Sequence, residues 1–213
     1  MPKETPLQSP ININENVVRL EHLPRPMIHY EPMVVHSMEN NGWSVTFHCE
    51  TKSSIEWNGE MFKLEQFHFH SQSEHTIEGK RFPLEMHLVH KSNEGKLLVL
   101  GILFDNEVYN PILGELWKDP PDIYHKKKTS LEIDVSQLID LDQGFFFYEG
   151  SLTTPPFTEG VVWILQNKIA MVSEAQVDAY RAIFRKETYR ELQPASSNSV
   201  VFPEWIDQRP FNS

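Results

Sequence analysis

Along much of the chain apolar and polar residues alternate in short runs, cut by fifteen prolines and nine glycines. A period of two is the pattern of strands with one buried face. It predicts strands over Val17–Leu20, Met33–His36, Trp43–His48, Ser54–Trp57, Phe62–His70, Leu84–His90, Leu97–Phe104, Phe145–Leu152 and Val161–Leu165. Leu97–Phe104 is apolar on both faces and so belongs in the middle of a sheet. Glu78-Gly79-Lys80 reads as hairpin punctuation between two of these strands and supports their antiparallel pairing. Two segments carry the helical period instead. Ser173 followed by Gln176 is a capping-box pattern, with Val177, Tyr180, Ile183 and Phe184 then sharing one face. Pro111–Trp117 is a shorter helical stretch ended near Pro120-Pro121. With no internal repeat and no long linker, residues 1–213 read as one mainly β (α+β) domain.

Two of the predicted strands carry histidines in phase. His68 and His70 project from one face, with Gln66 a step before them, while Phe67 and Phe69 point the other way. On the second strand Glu85, His87 and Val89 share a face, opposite Met86 and Leu88. Paired in a sheet, the two strands bring three imidazoles to one point. Three nitrogen ligands with one open position is the arrangement of a catalytic zinc site rather than a closed structural one. His-x-His alone is a weak pattern. Gln66 and Glu85 strengthen it, because each stands two residues before a histidine on the same face. A metal-bound histidine gives its other N–H to such an acceptor, and a buried carboxylate needs such a partner.

Composition narrows the picture. The 213 residues are 39% apolar, and thirteen Phe, five Trp and six Tyr supply an aromatic core. A net charge of −11 repels phosphate backbones and argues against nucleic acid as a partner. The basic run His125-Lys126-Lys127-Lys128 therefore reads as a solvated loop. No run reaches the roughly twenty apolar residues of a membrane helix, so no membrane span is expected. Met1-Pro2-Lys3-Glu4-Thr5 is polar, without a hydrophobic signal segment, and Cys49 is alone. Both favour a cytoplasmic placement, with a mature secreted or periplasmic form as the alternative.

Six segments in register resemble the α-class carbonic anhydrases over nearly the whole chain. They are Gln8-Ser9-Pro10-Ile11-Asn12-Ile13, Asn40-Asn41-Gly42, Gln66-Phe67-His68-Phe69-His70, Ser73-Glu74-His75-Thr76, Glu85-Met86-His87-Leu88-Val89-His90, and Gly150-Ser151-Leu152-Thr153-Thr154-Pro155-Pro156, the last followed by Glu159-Gly160-Val161-Val162-Trp163. The resemblance implies a large twisted, mostly antiparallel central sheet of about ten strands with a few peripheral helices. It also implies reversible hydration of carbon dioxide to bicarbonate and a proton by a zinc-hydroxide mechanism. By the same likeness His68, His70 and His87 hold Zn2+, Glu74 and Thr153 form the orienting pair, and His75 is a structural hydrogen-bonding residue. Val89, Val99, Leu152, Thr154, Val161 and Trp163 match the substrate pocket. Taken singly, Glu74 reads as a surface carboxylate, Thr153-Thr154-Pro155-Pro156 as a rigid structural turn, and the apolar residues as ordinary core. Sulfonamides and anions are the implied inhibitors.

The chain departs from the family pattern in four places. Trp43 stands where fast members carry a proton-shuttling histidine, and indole does not titrate; turnover is expected to be slower for it. Seven residues precede Gln8 where about twenty are usual, so either the cleft mouth is more open or a second copy covers it, as in a homo-oligomer. Phe157 replaces the cysteine of secreted bacterial members. Thr188 and Glu191 replace an Asn and a Pro beside the matching Arg190 and Gln193-Pro194, which bears on local packing. The alternative function is a catalytically weak carbonic-anhydrase-related binding protein, though such proteins usually lose a zinc histidine. Ester hydrolysis is a side activity at most, since nothing supplies a pocket for a natural ester.

Overall fold

The computed structural model describes residues 7–184 and 187–204. The polar stretch Met1–Thr5, read above for a leader segment, lies outside them. In chain order the strands are β1 (Asn12–Ile13), β2 (Val18–Glu21), β3 (Met27–His29), β4 (Met33–Asn40), β5 (Val45–Glu50), β6 (Ser54–Trp57), β7 (Glu60–His70), β8 (Thr76–Ile77), β9 (Lys80–Arg81), β10 (Leu84–Ser92), β11 (Leu97–Asn106), β12 (Lys126–Ile133), β13 (Phe145–Ser151), β14 (Glu159–Gln166), β15 (Ala170–Val172) and β16 (Val200–Pro203). Helix α1 (Pro111–Leu116) follows β11, and α2 (Glu174–Ile183) follows β15.

Thirteen of these strands make one sheet, whose main path runs β12-β4-β5-β7-β10-β11-β14-β13-β16-β2. Pairing is mostly antiparallel; β11 runs parallel to β14 and β15, and β16 to β2. The doubly apolar run identified in the sequence is β11, enclosed between β10 and β14. One face of the sheet rests on a large apolar cluster that includes Phe47, Phe67, Phe69, Met86, Leu88 and Tyr180. The other carries a second cluster with Val89, Val99, Val161, Trp163 and Phe146.

Alternation in β7 explains how the histidines are held. Phe67 stacks on Phe47 across the β5–β7 pair at 5.0 Å, and Phe69 meets Trp117 edge-on at 5.3 Å and Tyr180 at 5.8 Å. Full burial of each phenyl contributes about 1.5–3 kcal/mol. α2 starts at the expected capping box, Ser173 with Gln176. From it the Tyr180 hydroxyl donates to the Phe69 carbonyl at 2.8 Å. With the odd residues of β7 locked behind, the even ones must project forward.

Two local readings are corrected. Glu78-Gly79 does reverse the chain, with φ of 49° and 76°. It closes the small β8–β9 hairpin, whereas β7 and β10 pair without a direct turn between them. The basic run taken for a loop opens β12, an edge strand paired with β4 through Lys126↔Glu39 and Lys128↔Ser37. A strand whose side chains remain in water has no apolar face to betray it, and edge lysines discourage further pairing.

Farther along β10, His90 is fully buried. Its Nδ1 donates to the Leu98 carbonyl at 3.2 Å, and its Nε2 accepts from the Tyr30 hydroxyl at 2.5 Å. Burial pushes its pKa down to about 4. The unfolded chain takes up a proton near pH 6.5 that the folded state refuses. Stability from this residue is therefore complete above about pH 6.5 and lost as pH falls towards 4, by at most about 3 kcal/mol. Urea titrations of a His90→Gln variant are expected to show a shallower decline over that window than the parent protein; equal slopes contradict the assignment.

Candidate metal centre

The β7–β10 ladder pairs His68 with His87 and His70 with Glu85. Ring centroids stand 5.0 Å apart for His68–His70, 5.3 Å for His68–His87 and 4.7 Å for His70–His87. One nitrogen of each ring lies within 4.8 Å of the other two. His70 and His87 are buried, and His68 is half-buried.

The remaining nitrogens are spent. His68 Nδ1 donates to Gln66 Oε1 at 2.9 Å, His70 Nδ1 to the Thr188 carbonyl at 2.5 Å, and His87 Nε2 to Glu85 Oε1 at 2.9 Å. What is left facing the common centre is Nε2 of His68, Nε2 of His70 and Nδ1 of His87. Buried His70 Nε2 has no hydrogen-bond partner. An unsatisfied buried ring nitrogen is costly unless something else binds it. Burial lowers the pKa of all three rings, further for His68 through the neighbouring histidines, although Glu85 works the other way at His87. Neutral imidazoles with fixed tautomers are what a divalent cation requires. The donor set therefore fits zinc, with an open fourth position. A neighbouring trio, His75, Glu85 and His87, is equally close. It does not compete, because His75 has both nitrogens committed, to Glu85 Oε1 at 2.7 Å and to the Tyr148 hydroxyl at 2.6 Å.

Glu85 is the hub. Its Oε2 accepts from the backbone N–H of Glu74 and of His75 at 2.7 and 2.8 Å, and its Oε1 accepts from both His75 and His87. Burial alone would raise this carboxyl, but the two histidines outweigh it and hold its pKa well below the ordinary value. Gly101 lies opposite His87 in β11, and a Cβ there would come within 2.6 Å of Leu165 and 3.4 Å of Glu85 Oε1. Behind His75, the Tyr148 hydroxyl donates to Ser9 Oγ at 2.9 Å, which ties the Gln8–Ile13 segment to the site.

Glu74 is buried, with Oε2 3.5 Å from His70 Nε2 and 3.9 Å from His87 Nδ1. Its Oε1 accepts from the Arg190 backbone N–H at 2.8 Å. Burial raises the Glu74 pKa to about 7, against the pull of His87, of the Thr153 side chain and of Arg190. A dication at the centre would favour the ionised carboxylate. Thr153 is buried two residues beyond the end of β13. Gln66, Val89, Val99, Trp163 and Tyr148 then form one row of direct neighbours across β7, β10, β11, β14 and β13. Trp163 meets His87 at 4.9 Å. Val161 is buried in the same cluster, and half-buried Leu152 packs on it. Thr154 departs from this wall: it is exposed, and its carbonyl closes a turn by accepting from Phe157 N–H at 2.9 Å.

The comparisons agree with this geometry. The family model for eukaryotic-type carbonic anhydrase matches residues 3–202. The chain belongs to the α-class carbonic anhydrases. It is 34% identical to the carbonic anhydrase of Neisseria gonorrhoeae over 195 residues, 91% of this chain and 76% of that protein. Among solved structures, a hyperthermostable carbonic anhydrase from an active hydrothermal vent chimney superposes with a TM-score of 0.88 at 34% identity, covering 95% of this chain and 90% of that one. The α-carbonic anhydrase of Thermovibrio ammonificans, solved with the inhibitor sulfanilamide, gives 0.85 at 32% identity over 93% of this chain and 87% of that one. The protein is thus an enzyme of a family that hydrates carbon dioxide and depends on zinc.

Three residues make contacts that escaped the sequence reading. Thr188, taken as a packing position, supplies the carbonyl that orients His70, and its Oγ1 accepts from Ser71 N–H at 3.0 Å. Arg190 reaches Glu74 through its backbone and stacks its guanidinium on Phe157, 3.7 Å from the ring centre. Ser9 bonds Tyr148 from a motif that was matched without being assigned a role. All these contacts are long-range and leave no local periodic signal. Because Glu85 accepts four N–H groups, a Glu85→Gln variant forces an amide N–H2 against donors. Zinc affinity in chelator competition is expected to drop by about 10- to 100-fold; unchanged affinity contradicts the role given to this carboxylate.

Proposed function

We propose that this carbonic anhydrase works through a zinc ion held by His68, His70 and His87, with Glu74 and Thr153 orienting the nucleophile and proton export limiting turnover. The observation that carries it is the set of three converging imidazole nitrogens, each left over from a ring whose other nitrogen is bonded. Zinc held there would lower the pKa of a coordinated water to about 7, as it does in carbonic anhydrases.

The chain's own residues do the rest. Gln66, Glu85 and the Thr188 carbonyl hold the rings in place and fix their tautomers, while burial keeps the rings neutral. Glu74, once ionised, accepts a hydrogen bond from the Thr153 hydroxyl; with its only hydrogen so committed, the Thr153 oxygen can only accept from the nucleophile and so fixes the direction of the nucleophile's hydrogen. The Thr153 backbone N–H is the donor for charge developing on the substrate oxygen. Carbon dioxide has no net dipole, and the apolar row of Val89, Val99 and Trp163, with Val161 and Leu152, suits it without competing hydrogen bonds. Sulfonamides and other anions are the expected inhibitors.

Trp43 sits on the β4–β5 turn, 52% exposed, its backbone N–H held by Asn41 Oδ1 at 2.8 Å. An indole there donates but does not accept a proton. Stripping the metal with a chelator is expected to abolish stopped-flow hydration, and stoichiometric zinc to restore it. Thr153→Val should lower kcat/KM roughly a hundredfold while leaving zinc bound. Trp43→His should raise the maximal rate in weak buffer without altering kcat/KM. Full hydration by the metal-free protein, or no response to Trp43→His, contradicts the corresponding part of the proposal.

A further inference from the structure

Each hydration event converts carbon dioxide and water into bicarbonate and one proton, and that proton must leave a site whose buried groups, Glu74 included, have no direct path to solvent. The inference below rests on the proposed reaction and concerns where the proton goes. Among the described histidines outside the ligand trio, His75 and His90 are buried with both nitrogens bonded. His29 pairs with Ser54, which faces Lys63 near the far end of β7.

His48 is placed differently. It is the direct cross-strand neighbour of Gln66, the residue that bonds His68. One residue earlier, Phe47 pairs and stacks with Phe67 in the core, so His48 lies on the opposite face, the face of the ligand histidines. Backbone spacings put its Cα roughly 5 Å from that of Gln66, and the Gln66 Cα roughly 7 Å from that of His68, close enough for a short water chain past the Gln66 side chain. The side chain is 32% exposed, in reach of both cleft and solvent.

Two neighbours on β4 complete the arrangement. The register of β4 against β5 shifts between Val35 and Ser37, so His36 and Ser37 both stand opposite His48. His36 is exposed and stacks on His48 at 6.3 Å, with the rings 27° from parallel. Glu39 places Oε2 3.6 Å from His48 Nε2, too far for a hydrogen bond but close enough to favour a positive ring. The same carboxylate oxygen is 3.5 Å from Lys126 Nζ on β12. His48 Nε2 is shut away from solvent without another partner.

We propose that His48 receives the proton released in hydration and passes it to solvent, with Glu39 and His36 as its charge and ring partners. Glu39 favours the tautomer with hydrogen on Nε2, which leaves the Nδ1 lone pair to take the proton through water. The neutral ring becomes an imidazolium and returns to neutrality when a buffer base removes the proton. Burial, Lys126 and His36 lower the His48 pKa, and Glu39 raises it; from β7 the facing residue is uncharged Gln66.

The test compares the zinc-loaded parent, His48→Ala, His36→Ala and Glu39→Gln proteins in a weak, bulky buffer. For His48→Ala, kcat is expected to fall roughly tenfold at constant kcat/KM, and added 4-methylimidazole to restore it; His36→Ala should fall less. NMR titration of the metal-free protein is expected to show the His48 pKa moving down in Glu39→Gln and up in Lys126→Met. In the loaded enzyme the pKa governing kcat should follow it in Glu39→Gln. Equal kcat in the parent and His48→Ala, or kcat and kcat/KM falling together, overturns the inference. A parent enzyme with no measurable kcat/KM overturns the underlying reaction instead, a result that the histidine comparison does not produce.

Discussion

An imidazole has two nitrogens, and at this site the fold commits one on each ring. Gln66, Glu85 and the carbonyl of Thr188 take the N–H of His68, His87 and His70 respectively. Three neutral rings with their tautomers set this way have their remaining lone pairs at one centre. A cation then meets ligands that need no reorganisation, and proton loss on binding is small because burial already keeps the rings neutral. The central acceptor, Glu85, is fully buried and stays ionised because four N–H groups surround it. Removing one partner from such a network leaves an uncompensated buried charge, costing about 3–5 kcal/mol.

The sheet makes that arrangement rigid. Phe47, Phe67, Phe69, Trp117 and Tyr180 form a continuous aromatic layer behind β7. Rotating His68 or His70 out of position would require moving that packed layer. On the front, the row beside the histidine trio, which includes Gln66, continues sideways into the apolar wall: Val89, Val99 and Trp163 are successive cross-strand neighbours. In the other direction the same row passes through Gln66 to His48. In the proposed mechanism, ligand orientation, an apolar substrate surface and a titratable exit thus share one ladder of residues.

Much of this was legible in the sequence, and the exceptions have a common cause. Gln66, His68 and His70, like Glu85, His87 and Val89, are two residues apart in strands, so period-two geometry alone puts them on one face. The α2 cap at Ser173 is similarly local. Thr188 and Arg190 act on His70 and Glu74 from more than a hundred residues away in sequence, through backbone atoms, and no residue type announces a carbonyl or an amide. β12 was hidden because its outward lysines suppress the apolar alternation that marks a strand. The pairing of His48 with Gln66 required the register of β5 on β7, and the position of His36 required a shift in the β4–β5 ladder.

The central claim is that three imidazoles hold one zinc and leave one position to solvent. X-ray absorption at the zinc edge of protein loaded with one equivalent tests it most directly. The account predicts three nitrogen scatterers at about 2.0–2.1 Å with imidazole multiple scattering, and one further light atom exchanged on adding sulfanilamide. A sulfur ligand, a closed shell of four protein ligands, or failure to retain zinc would contradict it.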